Sequence, residues 1–440
     1  MERKTKMNRM NPFSSCLQRS LILSSLISIS VGAQALTLDE ALRMAKERNG
    51  AVRAAEIGVR SAESNIRLSK SSFLPTLTPT YRYDTIRRRQ YTGTSFSGND
   101  AGNSFDITAS WNLWDSGARL VDLLAKRAEL TAEEFSSTQT LRQTLFNTLS
   151  QYYNAQRTVE LLKVQTSQLA RSETILKQTN ARAEVGDIPR KDTFQAEADF
   201  LNAQVGVLSA ESRVKTSLAE LKATIGYSDA DAPLTIDTGI PSFEPQTLRP
   251  LFEVVQEGLA SRTDLKSRRS QLDSQRLAVR LSQIDNGLTI RLDAGYSRSL
   301  ARDVSDRSSL ALVASFPLFN GGRSREEVLS RRLQVLSAEE SLSQAERTAT
   351  AEIESAYEDV RQSALRVRAA SAALVAAQKN YDAASKAQAL GASSLVEVVQ
   401  AQTSLVTAEV NAVEAVFDAL IAESRLRLAT GQALRGEVSQ

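Results

Sequence analysis

Asp192 and Glu397 are two carboxylates at the same place in two copies of one pattern. Each lies six residues after a glycine, Gly186 or Gly391, and the two pairs are 205 residues apart. Carboxylates in pairs can divide the work of acid and base in a hydrolysis. Crowded in a narrow passage, they instead attract cations and repel anions. The rest of the sequence favours the second chemistry. Histidine is absent and the one cysteine is Cys16, so the commonest general base and the usual zinc ligands are missing. Nothing arranges acids with aromatic sugar platforms. No enzyme, metal or cofactor is expected. A plainer role applies to both residues as well: acids in the first turn of a helix are favoured by its dipole.

The elements that must position these acids also occur twice. "LWDSG" (Leu113 to Gly117) aligns with "LFNGG" (Leu318 to Gly322), again 205 residues on. Upstream, "PTLTPTYRY" from Pro75 aligns with "LTIRLDAGY" from Leu288 at an offset of 213, so the first hairpin is eight residues longer. The extra length falls in a Gly/Ser/Asn-rich stretch that reads as loop. Each half reads helix, strand, loop, strand, long helix, sharp turn, helix. Ile353, Val360, Val367, Leu374 and Tyr381 recur every seven residues, as do Ala356, Ser363, Ala370, Ala377 and Ala384. Leu162, Leu169 and Leu176 hold the same register in the first half. A strict seven-residue repeat is the mark of supercoiled packing. Gly186 and Gly391 fit the left-handed position that ends a helix. Asp187 or Ser394 can cap the helix that follows, and Ser394 with Glu397 spells a capping box.

The strands raise the question of solvent. In "SFDITASWNLW" from Ser104, Phe105, Ile107, Ala109, Trp111 and Leu113 alternate with polar residues, and Leu310, Leu312, Ala314, Phe316 and Leu318 repeat the pattern. Period-2 alternation is a strand with one apolar face. Four such strands are too few for a membrane barrel, which needs about eight. An open sheet with a bare apolar face invites aggregation. A barrel shared between chains resolves this, its apolar face toward lipid. Tyr81, Tyr83, Trp111, Trp114, Tyr296, Phe316 and Phe319 then sit near strand ends as an interfacial aromatic girdle.

The N-terminus supplies the address. Five basic residues precede the apolar run Leu21 to Val31, and Ala33 and Ala35 form an A-x-A cleavage site, so residues 1–35 read as a secretory signal peptide. Cys16 lies before the apolar run, where it cannot be the lipidation site of a lipoprotein. Removing this segment, which carries +4, turns the chain's net +3 into −1. The basic balance therefore belongs to the targeting segment and gives no case for nucleic acid. The remaining boundaries follow the repeat. The first runs over 36–225, with strands at about 75–84 and 104–114 and a long helical hairpin over about 117–225. A Pro/Gly linker spans 226–250. The second repeat runs over 251–431, with strands at about 288–297 and 308–318 and a hairpin over about 321–431, before a short tail, 432–440.

This duplicated layout, with the "LTLDEAL" start, the "LWDSG/LFNGG" joints and the "VGD/LGA" turns, resembles the TolC-like outer membrane exit ducts over nearly all of Leu36 to Gly431. The resemblance implies a mostly α fold with a membrane β-barrel portion. A homotrimer builds one twelve-stranded outer membrane barrel, continued by a twelve-helix periplasmic coiled-coil tunnel. It implies export of polypeptides by type I secretion, or of small molecules by efflux. The implied partners are a periplasmic adaptor (membrane fusion) protein, an inner-membrane ABC or proton-driven transporter, and outer membrane lipid. In the family, turns of the form V-G-hydrophobic dock the adaptor; here they are Val185-Gly186-Asp187 and Leu390-Gly391-Ala392, and Asp187 departs from the form. Inward acids six and nine residues after the second glycine narrow the family's entrance; these positions hold Glu397 and Gln400, with Asp192 as the acid of the first repeat. Gln388 and Ser393 stand where the family has a locking tyrosine and arginine. A soluble periplasmic coiled-coil adaptor or scaffold is the alternative, and it leaves the alternating strands without a purpose.

Overall fold

The computed structural model describes residues 35–90, 96–227, 234–244, 247–299 and 305–437. The expected signal peptide, short pieces of the linker and the last three residues lie outside that set. Each repeat opens with a bent helix pair. In the first, α1 (Leu38–Arg48) starts in a reciprocal capping box between Thr37 and Glu40 and buries Leu38, Ala41, Leu42 and Ala45, the i, i+3, i+4, i+7 stripe of a core-facing helix. Asn49 ends it and caps α2 (Gly50–Ser71), accepting from the Ala51 N–H at 2.8 Å while its amide donates to the Thr224 carbonyl at 2.8 Å. Strands β1 (Thr76–Gln90) and β2 (Phe96–Trp114), the long α3 (Ala118–Glu184) and α4 (Arg190–Thr224) complete the repeat. The second consists of α5 (Leu251–Ser261), α6 (Thr263–Ile284), β3 (Thr289–Ser299), β4 (Ser305–Ser315), α7 (Arg323–Ala389) and α8 (Leu395–Ala429). At 67 residues each, α3 and α7 extend about 100 Å.

The strands form one antiparallel sheet in the order β1-β2-β3-β4, with β1 and β4 as open edges. Thr76 faces Ser110 and Thr289 faces Ser315, so one registry satisfies both sequence offsets. β1 and β2 stay paired out to Gln90 and Phe96. The first hairpin's extra residues therefore lengthen the strands, where the Gly/Ser/Asn content reads as loop; backbone pairing needs no particular side chain. Register assigns the faces. Leu77 and Tyr81 share one face with Phe105, Ile107, Ala109, Trp111, Leu292, Tyr296, Leu310 and Leu312. Thr78, Asp106, Thr108, Ser110, Asp293, Ser297 and Arg307 line the other.

Two helix orders follow along the rod. Near the sheet α3 lies between α2 and α6, and α6 packs on α7; farther away α3 pairs with α4 and α8, and α8 with α7. The main apolar core sits between these regions. There α1 and the middle of α3 (Leu145, Leu149, Tyr152) pack with Leu221, Ile225 and Ile236. The tail belongs to this core as well. Leu434 is buried among these residues, Arg435 grips Asp39 at 2.8 and 2.9 Å, and Arg142 holds Glu437 at 2.8 Å. Among the described residues no helix is long and apolar enough to cross a membrane.

Candidate functional site: the paired hairpin tips

The end of the rod away from the sheet carries two copies of one turn. Gly186 and Gly391 both adopt φ 76°. After each, an N–H reaches back five residues: Asp187 to the Arg182 carbonyl at 2.9 Å, and Ala392 to the Ala387 carbonyl at 2.8 Å. This bond closes the last turn of a helix around a left-handed residue, which is why glycine stands there. The turns leave Val185 and Leu390 80% and 85% exposed, two apolar side chains held into solvent at the tips.

The side chains around the two turns differ. Asp187 caps nothing: α4 begins at Arg190, and its N-cap position is Pro189, which offers no side-chain cap. Its carboxylate pairs with Arg182 at 2.6 Å, and Arg182 also donates to the Gln388 carbonyl at 3.2 Å, which ties the first tip to the second. Only half of the expected capping box forms at Ser394. Its hydroxyl accepts from the Glu397 N–H at 3.3 Å, but the Glu397 carboxylate takes the Ser393 hydroxyl rather than the Ser394 N–H. A nearby side-chain donor thus outcompetes the backbone.

Asp192 is half-buried in the first turn of α4. Glu397 and Gln400 are exposed in the first turns of α8. No hydrogen bond or ion pair among the described residues joins Asp192 to Glu397. They flank one small apolar cluster, in which Ile175, Ala196 and Val398 pack with Leu176, Tyr381, Ala384 and Leu395. Above it the hairpins are pinned by polar contacts that single-sequence reasoning misses. The buried Gln402 amide donates to the Ser172 hydroxyl at 2.9 Å, and Arg171 grips Glu409 with two bonds of 3.2 and 2.8 Å. These partners are more than 200 residues apart in sequence, and no local pattern marks them.

At the other end, the aromatic positions separate into two groups. Trp111, Trp114, Phe316 and Phe319 cluster where strands give way to helices. Tyr81 and Tyr83 lie within β1, away from its ends, because β1 runs on to Gln90, farther than its alternation marks; Tyr296 lies near the opposite, hairpin end of β3, which closes at Ser299. No group of three or more potential metal-ligating side chains occurs among the described residues.

A sheet with one apolar face, standing on a rod of duplicated helical hairpins, defines the class of outer-membrane exit channels. The family model for outer membrane efflux proteins matches residues 41–227 and 254–432, and the chain belongs to that family. It is 23% identical over 426 residues to the outer membrane efflux protein BepC of Brucella suis, covering 94% of this chain and 89% of that one. It is 24% identical over 430 residues to the outer membrane protein TolC of Escherichia coli, covering 93% and 85%. The crystal structure of the Campylobacter jejuni CmeC outer membrane channel superposes with a TM-score of 0.79 at 17% identity, over 92% of this chain and 87% of that one. The protein is an outer-membrane transport channel, and TolC-family channels are trimeric and work with efflux or secretion complexes.

Proposed function

We propose that three copies of this chain form one continuous duct from periplasm to exterior, through which cargo passes from an inner-membrane transporter and a periplasmic adaptor. One observation carries the reading. A four-stranded sheet with an apolar face and two open edges stands on helices whose own outer edges are equally unpaired: α2 and α4 on one side, α7 on the other. Opposite and unlike edges make a head-to-tail contact, which closes into a ring when the rotation allows. Three copies supply twelve strands, enough for a membrane barrel.

In this reading the exposed Val185 and Leu390 offer the adaptor its apolar contacts at the tips, with Gly186, Asp187, Gly391 and Ala392 shaping the turns. Asp192 and Glu397 face the entrance, where three copies of each crowd carboxylates together and favour cations; Gln400 adds no charge. The channel has no catalytic role.

The test is made on purified outer-membrane protein in planar bilayers. Glu397→Gln and Asp192→Asn should each lower cation preference in single-channel recordings while the oligomer remains intact in detergent. Unchanged ion selectivity in both variants would remove the entrance assignment and leave the acids as residues of helix first turns. A protein recovered as a soluble periplasmic monomer would remove the duct itself.

A further inference from the structure

The layer of long helices has a break within each chain. Between α3 and α7 one slot is filled by α6 near the sheet and by α8 farther down. α8 ends at Ala429 and α6 begins at Thr263, so two helix ends meet in that slot. The chain turns away at both, at Gly431 with φ 68° and at the bend through Arg262. Side chains alone are left to fill the gap, and they leave a cavity of about 640 Å³ between α3, α7 and α8. Small-molecule sites span roughly 300–1,000 Å³. Resting on the duct reading, we propose that this cavity opens into the duct and binds an amphipathic organic anion, one carboxylate or sulfonate on a flat apolar body.

The lining sets the chemistry. Ala351 and Ala356 of α7 are small enough to leave the room, and with Phe146 and Leu428 they give an apolar floor. Arg262 closes one end. Its guanidinium is only 11% exposed and is held by Asp264 at 2.8 and 3.0 Å, by Glu352 at 2.7 Å and by the Ala429 carbonyl at 3.3 Å. Glu352 is the one acid of the lining, and this bond already commits it. Arg425 is placed differently. It is 57% exposed, and its Nη1 lies 3.6 Å from Asp359, beyond hydrogen-bond length. The cavity therefore sets an available cation beside an apolar floor. A planar guanidinium suits a carboxylate or sulfonate, which it can hold by two charge-assisted bonds.

The corresponding joint of the first repeat is built otherwise. There α4 ends against the start of α2, and the Asn49 amide donates to the Thr224 carbonyl at 2.8 Å, as Arg262 does to Ala429. Asn49 stands where the second repeat has Arg262, at the offset of 213, and Glu220 stands where it has Arg425, at the offset of 205. A neutral amide and an acid thus replace two cations. Of the two joints, only the second presents positive charge at the break, so each chain carries one such site.

Helix phase decides which way the cavity opens. α3 carries α1 through Leu145 and its neighbours in the core, and α7 carries the linker through Tyr357, whose hydroxyl donates to the Arg249 carbonyl at 3.0 Å. Gln143 and Ser355 line the cavity. Each is two residues from Leu145 or Tyr357, about 200° around its helix. α1 and the linker therefore cover one face of the helical layer, and the cavity opens on the other. When such a layer closes into a ring, added elements fit on its wider outer side, so the cavity faces inward. Arg425 then stands beside the path of the cargo, and an amphipathic anion can rest there part-way along the duct.

Equilibrium dialysis of 2-naphthoate against the oligomer in lipid nanodiscs reads the binding directly. Saturable binding of one naphthoate per chain is expected. Arg425→Gln should weaken it about ten-fold, the loss of one charge-assisted contact, and Arg425→Lys should restore part of it. Ser355→Trp, at an exposed position on the cavity wall, should fill the space and abolish binding. Arg366→Gln removes a cation about three turns further along the same face of α7 and should leave binding unchanged. The cation 1-naphthylmethylammonium should bind more weakly than naphthoate. Tighter or equal binding of that cation would overturn the site. So would equal losses in Arg425→Gln and Arg366→Gln, or naphthoate uptake that never saturates. Single-channel recordings then test the direction of opening. Naphthoate should lower the conductance of the unsubstituted channel over the concentrations that saturate binding, and should not lower that of Ser355→Trp. Saturable binding without any change in current would overturn the opening into the duct while the duct stands. A protein that binds naphthoate but forms no conducting channel would remove the duct reading, and with it the inward opening.

Discussion

α3 and α7 are the same helix made twice, and their ends differ in a consistent way. At the membrane end of α3 the Asp115 carboxylate accepts from the Gly117 N–H at 3.1 Å, the Arg119 N–H at 3.1 Å and the Arg119 Nε at 2.6 Å. The Arg119 guanidinium lies 4.9 Å over the Phe73 ring and donates to the Ser72 carbonyl at 3.2 Å, and the Trp111 indole donates to the Phe73 carbonyl at 3.0 Å. In α7, Asn320 and Ser324 replace this ion pair with a neutral hydrogen bond, and Asn320 reaches only Asn286, at 3.3 Å. At the tips the Arg182–Asp187 pair becomes Ala387 and Ala392. Yet the backbone is the same, with Gly117 at φ 90° and Gly322 at φ 83°. The ion pairs are therefore unnecessary for the turns. They brace the two ends of α3 against neighbouring segments of its own chain; the ends of α7 have no equivalent pair, and its cross-helix ion pairs, to Arg262, Arg269 and Arg276, lie along its middle. The bend of each opening helix pair reverses the pattern. There the second repeat carries the charges, with Arg262 bonded to Asp264 and Glu352, and the first has the neutral Asn49. Charge thus marks individual joints rather than one repeat.

The largest expected effect lies where the repeats agree. Ile107→Arg and Leu312→Arg each put a cation on the apolar face, at about 2–4 kcal/mol per chain if near the bilayer midplane. Both should sharply lower the yield of heat-resistant oligomer, and to a similar degree. Thr108→Arg, on the polar face, should assemble normally. Similar losses for Thr108→Arg and Ile107→Arg would show that the faces are reversed or irrelevant.

The next effect lies where the repeats differ. Asp115→Ala removes a carboxylate that is only 16% exposed and strands Arg119, 15% exposed; losing hydrogen bonds to a charged group of this kind destabilises by about 2 kcal/mol. Asn320→Ala removes exposed neutral bonds and should change stability by about 0.5 kcal/mol or less. Thermal dissociation in detergent reads both. If the two variants melt together, the brace at the first joint contributes nothing that the second lacks.

How much of this was legible in the sequence depended on the range of the signal. The period of two from Phe105 to Leu113, the sevenfold seam from Ile353 and the glycines at 186 and 391 are local patterns, and they determine local backbone. Two constant offsets carried the layout, because a duplicated chain states its topology twice. The ends of β1 and β2 were hidden, since the chain there pairs through backbone and has a composition that also suits a loop. The Arg119, Arg171 and Arg182 contacts were hidden for another reason. An arginine's partner is chosen by three-dimensional neighbours, and an acid such as Asp187 can cap a helix or meet a cation with equal local plausibility. Leu434 gave no periodic signal because it acts alone, one apolar residue in a polar tail that the core receives.

The smallest effect expected is at the tips, and it separates a stabilising pair from a gating one. Arg182 and Asp187 are 31% and 55% exposed, and an ion pair so placed contributes little to stability. The bond from Arg182 to the Gln388 carbonyl is different in kind, because it crosses from one hairpin to the other. If the tips must part for the entrance to widen, this bond must break, and about 1 kcal/mol for one such bond corresponds to roughly a five-fold change in the population of parted tips. Arg182→Ala should therefore leave thermal dissociation of the oligomer unchanged and raise the fraction of time the channel spends in its more conductive state. Asp187→Ala leaves the cross-hairpin bond available and only frees the guanidinium to move, so its effect on conductance should be smaller. Equal rises in both variants would mean that the Arg182–Asp187 pair itself sets the entrance. No rise in either would mean that the tips are held by the cluster of Ile175, Ala196 and Val398 and by the polar rungs above it, with Arg182 merely bridging a gap that is already closed.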